Sequence, residues 1–136
     1  MQHGGPTCRP YDDHQFLVIE RNGGTTITGT TPFAKIVRID LGVVDAAGNL
    51  GKTEVVDLMN IADPADLDDL NGEGSTVFTF LYVTIENVLI VNADTLLVIT
   101  DNNYAGADGR IAGVSDPTEF CRWTWPRQCQ SPRAVL

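Results

Sequence analysis

The segments DDHQFLVIERN (residues 12–22) and NADTLLVITDN (residues 92–102) follow one pattern, set 80 residues apart. Each runs from a polar turn through an apolar, β-branched strand to a polar dyad. A glycine-containing loop and a second strand come next. After the first copy that strand is KIVRIDL, residues 35–41. After the second it is EFCRWTW, residues 119–125. A chain that repeats a hairpin in this way must stack its copies or fold them on each other. One blade of a β-propeller takes about 40–45 residues, so this spacing is close to two blades. The expected architecture is therefore all-β, with antiparallel blades of an incomplete β-propeller, about three blades' worth. The alternative is a small β-sandwich that merely repeats a hairpin.

Local patterns agree with an all-β chain. HQFLVIERN (14–22), TEVVDLM (53–59), STVFTFLYVTI (75–85), NVLIV (87–91) and TLLVITDN (95–102) read as strands. AKIVRIDLG (34–42) alternates Ile36, Arg38 and Asp40 against Val37, Ile39 and Leu41. Only IADPADLDDL (61–70) suggests a short helical turn.

The stretch FCRWTWPRQCQ (120–130) resembles nothing upstream. Read one base earlier in the codons, Cys121 becomes Leu, and Trp123 and Trp125 become Leu, Val or Met. Thr124 becomes Asp. That text matches Ile36-Val37-Arg38-Ile39-Asp40-Leu41, so the sequence reading places codons after Phe120 out of frame. A similar shift before Asp12 restores a weaker strand. Residues 12–120 then form the segment that carries the fold, and residues 1–11 and 121–136 are doubtful, out-of-frame ends.

Charge narrows the function. The chain of 136 residues has a formal net charge of −9. Up to Phe120 it holds 6 basic and 18 acidic groups, a net of −12. Such a surface repels phosphate backbones, so no nucleic-acid partner is expected, whereas clustered carboxylates attract Ca²⁺. No apolar run is long enough to span a membrane, and MQHGGPTCRP has no apolar core of a signal peptide. The three cysteines, Cys8, Cys121 and Cys129, have neither metal-site spacing nor a disulfide framework.

Several polar residues stand at strand edges, where propellers hold ligands. Glu86 is a carboxylate inside the apolar stretch VTIENV. Asp101, Asn102 and Asn103 end an apolar strand with oxygens of the hard type that Ca²⁺ prefers. Arg21 has the guanidinium fork that grips phosphate bidentately, or that pairs with an acid, and Arg110, after Gly109, is a second phosphate-clamp candidate. The loop from Asp66 to Gly74 is densely acidic but lacks EF-hand spacing, since Val77 stands where the bidentate Glu belongs. His14 lies beside a turn. Ser75 and Ser115 lack the G-x-S-x-G setting of a nucleophile elbow.

The runs DDHQFLVIERNGG, KIVRIDL, KTEVVDLMNIADPADLDDLNGEG and FTFLYVTIENVLIVNADTLLVITDNNYAGADGR, with DPTEF, resemble the C-terminal part of the esterase-like phytase family. The resemblance covers essentially all of residues 12–120. Its most specific pieces are TIENVLIVNADTLLVITDNN, with Gly109-Arg110 after it, and FLVIERN. Two departures stand out: Leu81 and Ala105 occupy positions where the family usually has proline. The resemblance implies a propeller-like protein of bacterial or plant type, often secreted or periplasmic. It also implies hydrolysis of a small phosphoester or ester substrate by a longer parent, this chain alone being inactive. Glu86, Asp101 and Asn102 would be Ca²⁺ ligands, and Arg21 and Arg110 would bind substrate. The catalytic residues stay unknown. The alternative is a non-catalytic secreted propeller that serves as a binding module.

Overall fold

The computed structural model describes residues 8–25, 27–66, 75–81, 84–102, 108–124 and 128–130. Among these the structure is all-β, without helix. The strands are β1 (Cys8–Pro10), β2 (Gln15–Arg21), β3 (Ala34–Val44), β4 (Leu50–Asp57), β5 (Ile61–Ala62), β6 (Val77–Phe78), β7 (Ile85–Asn92), β8 (Thr95–Thr100), β9 (Phe120–Thr124) and β10 (Gln128–Gln130). They form two four-stranded antiparallel meanders, β1-β2-β3-β4 and β7-β8-β9-β10. The short pair β5-β6 lies between them in sequence. Three sheets thus stand where about three blades were expected, the middle one a two-stranded rudiment.

The repeat is kept down to the register. In the first sheet Leu17 pairs with Arg38, Val18 with Val37 and Ile19 with Ile36. In the second, Leu97 pairs with Arg122, Val98 with Cys121 and Ile99 with Phe120. Each pair of the second sheet is the first shifted by 80 residues on one strand and 84 on the other. Short polar side chains start each copy in the same way. Asp12 Oδ1 accepts hydrogen bonds from His14 and Gln15 N–H at 2.8 and 2.7 Å, and Asn92 Oδ1 accepts one from Asp94 N–H at 2.9 Å. These Asx turns set the chain direction into β2 and β8. At the β3–β4 hairpin, Asp45 Oδ1 accepts Ala47 and Asn49 N–H, and Gly48 supplies a φ of 85°.

Burial shows how the copies stack. One core holds Leu17, Ile19 and Ile36 from the first sheet together with Leu96, Val98, Cys121 and Trp123 from the second. By the repeat, Leu96 and Val98 correspond to Phe16 and Val18, which lie on the opposite face of their own sheet. Like therefore does not pack on like. The front of one copy sits on the back of the other, as in successive propeller blades and as two sheets of a sandwich can also pack. Between the two sheets Leu58, Ile61, Phe78 and Phe80 fill the core, with Phe78 and Phe80 edge-to-face at 5.4 Å. Backbone bonds from Leu58 N–H to Ala34 O and from Phe80 N–H to Leu58 O, both 2.9 Å, tie this layer to β3. Burying each such side chain contributes about 1.5–3 kcal/mol.

Three local readings are revised. The expected strand over 75–85 is broken: β6 is two residues long, and residues 79–81 are not strand. Phe78 and Phe80 are both buried, as the same face of a strand would be, yet the chain leaves the β5-β6 ladder after Phe78 and Phe80 N–H bonds Leu58 O instead. The expected strand over 87–91 instead begins at Ile85 and runs to Asn92. The helical turn over 61–70 is replaced at its start by β5, and residues 67–70 lie outside the described residues. At the C-terminal end, Phe120–Thr124 takes its place as β9, with Cys121 and Trp123 buried to 3% and 4% exposure.

Candidate functional site

The strand-end residues singled out above meet at one edge of the molecule, where β2 and β8 finish and β7 and β9 begin. The anchor is the pair Ile85–Thr100. Ile85 faces Thr100 and Asn87 faces Ile99, so Glu86 is the extra residue of a β-bulge. A bulge bends its strand and re-aims the side chain it carries. This lets a half-buried carboxylate stand in an apolar strand without entering the core.

Arg21 ends β2 and crosses to the second sheet. Its Nε donates to Ile85 O at 3.2 Å, next to the bulge. Asp101 ends β8, and its N–H donates to Thr84 O at 2.9 Å. The Thr84 hydroxyl donates in return to the Asp101 carbonyl. Arg21, Glu86 and Asp101 are therefore held by a framework of backbone bonds around Thr84–Glu86.

Asn102 follows and is half-buried. Its repeat counterpart, Asn22, shows what an amide does at this position. Asn22 Oδ1 accepts Gly24 and Phe33 N–H at 2.9 and 3.0 Å, and its Nδ2 donates to Thr31 O at 3.0 Å. Asn22 closes the loop between β2 and β3. The repeat gives Asn102 the same place at the start of the loop between β8 and β9. Asn103 lies outside the described residues.

Arg110 comes to the same edge in an ion pair. Its Nη2 lies 3.2 Å from Glu119 Oε2, with the two side chains 11% and 22% exposed. Glu119 is itself fixed: its N–H donates to Thr100 Oγ1 at 2.8 Å, and its carbonyl accepts Thr100 N–H at 3.0 Å. Buried Asp116 holds the preceding turn by accepting Gly109 N–H at 2.8 Å. Arg110, read from the sequence as a phosphate clamp, is paired with an acid in the structure. Sequence reasoning missed Thr84, Thr100, Asp116 and Glu119. The signal was available, since Thr100 and Glu119 each adjoin a residue or motif already singled out.

Other candidates fall elsewhere. His14 lies at an exposed turn. Ser75 Oγ donates to Val77 O and accepts Val77 N–H. Of the acidic loop only Asp66 is described, with a φ of 47°, and residues 67–74 lie outside the described residues. Calcium takes roughly six to eight oxygen ligands. Glu86, Asp101 and Asn102 offer oxygens of the right kind. Among the described residues no group of three or more His, Cys, Asp or Glu draws close enough to hold a metal. The fit to a cation is therefore partial. No helix among the described residues is long and apolar enough to cross a membrane.

No curated protein and no solved structure matches this chain. A family model does: "Phytase-like", described as the esterase-like activity of phytase, matches residues 7–104. That span includes β1 through β8, with every residue of the Thr84–Asn102 framework. It also reaches into residues 7–11, which the codon argument had set aside. With more than half of its length matched, the chain belongs to the phytase-like family.

Proposed function

We propose that this protein serves the hydrolysis of phosphoester or ester bonds, with the strand edge around Ile85–Thr100 as its substrate-facing side. The observation that carries the reading is the bulge at Glu86. It places Glu86 next in sequence to Ile85, whose carbonyl Arg21 bonds, and two residues after Thr84, which pairs with Asp101, within the span matched by the family. In this reading Arg21 meets a phosphate or carboxyl oxygen, and Arg110 steadies the edge through Glu119. Glu86, Asp101 and Asn102 would hold a divalent cation such as Ca²⁺, completed by water and backbone oxygens. A bound cation supplies Lewis-acid polarisation of the ester oxygen and an acidified water. The chain's own part is to fix the carboxylates and Arg21 on rigid strand ends and to limit water on the core side.

Front-to-back stacking leaves one apolar face at each end of the stack: Phe16, Val18 and Ile39 on the first sheet, Leu97, Ile99 and Phe120 on the second. In our reading further blades cover these faces in a larger secreted or periplasmic protein. The 136-residue chain alone then turns over no substrate. The ion-paired state of Arg110 favours a second reading, a non-catalytic propeller whose acids are structural. Turnover of para-nitrophenyl phosphate, para-nitrophenyl acetate and inositol hexakisphosphate by a full-length parent, with Ca²⁺ or with chelator, separates the two. The hydrolase reading expects Ca²⁺-dependent turnover that is lost in Glu86→Ala and Asp101→Ala. Unchanged turnover in both variants would remove the site assignment, and no turnover of any substrate would leave the binding module.

A further inference from the structure

At the other end of β8, about 17 Å from Thr100 along the strand, a cavity of about 380 Å³ opens between the two sheets. It belongs to no part of the site described above. Two cross-strand rows face each other across it: Leu17–Arg38–Thr53 on β2, β3 and β4, and Ile90–Leu96–Trp123 on β7, β8 and β9. The second row is an apolar wall that ends in the buried Trp123 ring. The first row puts a guanidinium opposite that wall.

Arg38 is the unusual member. It is half-buried, and Tyr11, also on the cavity, has its ring centroid 6.0 Å from the guanidinium carbon. Among the described residues no hydrogen bond or ion pair holds the Arg38 guanidinium. A half-buried guanidinium without a carboxylate fork is an oxyanion receptor, because its planar donors match two oxygens at once. Asn92 is placed to help. Its Oδ1 is used by Asp94 N–H, which leaves the amide nitrogen as a donor at the cavity wall.

The rim also carries two carboxylates, Glu54 and Asp94. Lys35 neutralises Glu54 at 2.6 Å, whereas Asp94 lies on an exposed turn. Negative charge at the mouth disfavours a polyanion and leaves room for one oxyanion at Arg38. The volume falls within the usual range of small-ligand sites, about 300–1,000 Å³. From these features we propose that the cavity between the sheets binds a small molecule with one oxyanion, a carboxylate or a phosphate monoester, on an aromatic-sized apolar body. Arg38 takes the oxyanion, and the Ile90–Leu96–Trp123 wall takes the apolar body.

The test is calorimetric titration of the full chain with 3-phenylpropionate and with phenyl phosphate, alongside inositol hexakisphosphate. Trp123 emission in a Trp125→Phe background reports occupancy. Saturable one-to-one binding of either aromatic probe, with no comparable binding of the hexakisphosphate, is expected. The preferred probe decides between carboxylate and phosphate. Arg38→Gln should weaken the binding about tenfold to a hundredfold, the value of a hydrogen-bonded charge. Asp94→Asn keeps the turn and should tighten binding a few-fold; it tests the idea even if Arg38→Gln melts early. No saturable binding of either aromatic probe to the folded chain would overturn the proposal. So would affinity that stays within twofold in a folded Arg38→Gln variant, or an unchanged affinity in Asp94→Asn.

Discussion

Thr100→Val is the sharpest test of how the candidate edge is built. The Thr100 side chain is 1% exposed, and its hydroxyl accepts Glu119 N–H at 2.8 Å. Valine keeps the β-branched shape and removes only the oxygen. Glu119 N–H is then left inside without its partner, at a cost of about 1–3 kcal/mol. Taking about 2 kcal/mol, a domain of this size melts roughly 6–10 °C lower. Part of the loss passes to Arg110, whose partner Glu119 is no longer pinned. A double-mutant cycle with Arg110→Met should therefore show coupling of about 0.5 kcal/mol or more. Thr95→Val is the control: Thr95 is also buried, on the same strand, and no hydrogen bond to its side chain occurs among the described residues. Thermal melts followed by circular dichroism compare the three proteins. If Thr100→Val melts with Thr95→Val, within a degree or two of the parent, the hydroxyl does not hold this edge and the reasoning fails.

Other expectations follow from the same geometry. Gly24→Ala should cost about 1–3 kcal/mol in urea denaturation, because a Cβ there would meet Thr30 O at 2.7 Å and Thr31 O at 2.8 Å; Gly23→Ala, with open space around it, should cost far less. Trp123→Ala should cost about 3–5 kcal/mol, and a near-zero effect would mean that β9 is not part of the folded core. Hydrogen bonds from Gly42 N–H and then from Gln15 hold the Asp40 carboxyl below its usual 3.8. A lowered folded-state pKa stabilises above the unfolded value and is lost as pH falls through the folded one. Asp40→Asn should thus lower the urea midpoint at pH 7 and flatten its loss below pH 4; equal acid limbs in the two proteins would contradict this.

Much of the fold was legible in the sequence because its signals are local. The period-two alternation of KIVRIDL and the apolar run TLLVIT need no tertiary knowledge, and the Asx turns at Asp12 and Asn92 announce themselves by residue type. The repeat went further and carried the register of both hairpins. The break after Phe78 was not legible, because aromatic residues at 78 and 80 fit a strand or a buried coil equally well. The site was partly legible. Carboxylates at strand ends were visible, but the bulge that aims Glu86 depends on how β7 pairs with β8. The Arg110–Glu119 pair depends on a loop return that no spacing announces. Arg38 escaped attention because one charge in an alternating strand reads as solvent-facing, and only the second sheet turns its position into a cavity wall.

The most direct test of the proposed function uses the chain as it stands. Backbone amide resonances of labelled protein, followed by nuclear magnetic resonance during titration with CaCl₂ and then with inositol hexakisphosphate, report which residues meet each ligand. The account predicts saturable shifts confined to Arg21, Thr84–Asn87 and Thr100–Asn102, and larger shifts for phosphate when Ca²⁺ is present. Shifts confined to the acidic stretch 66–74, or no saturable change at the Ile85–Thr100 edge, would contradict it.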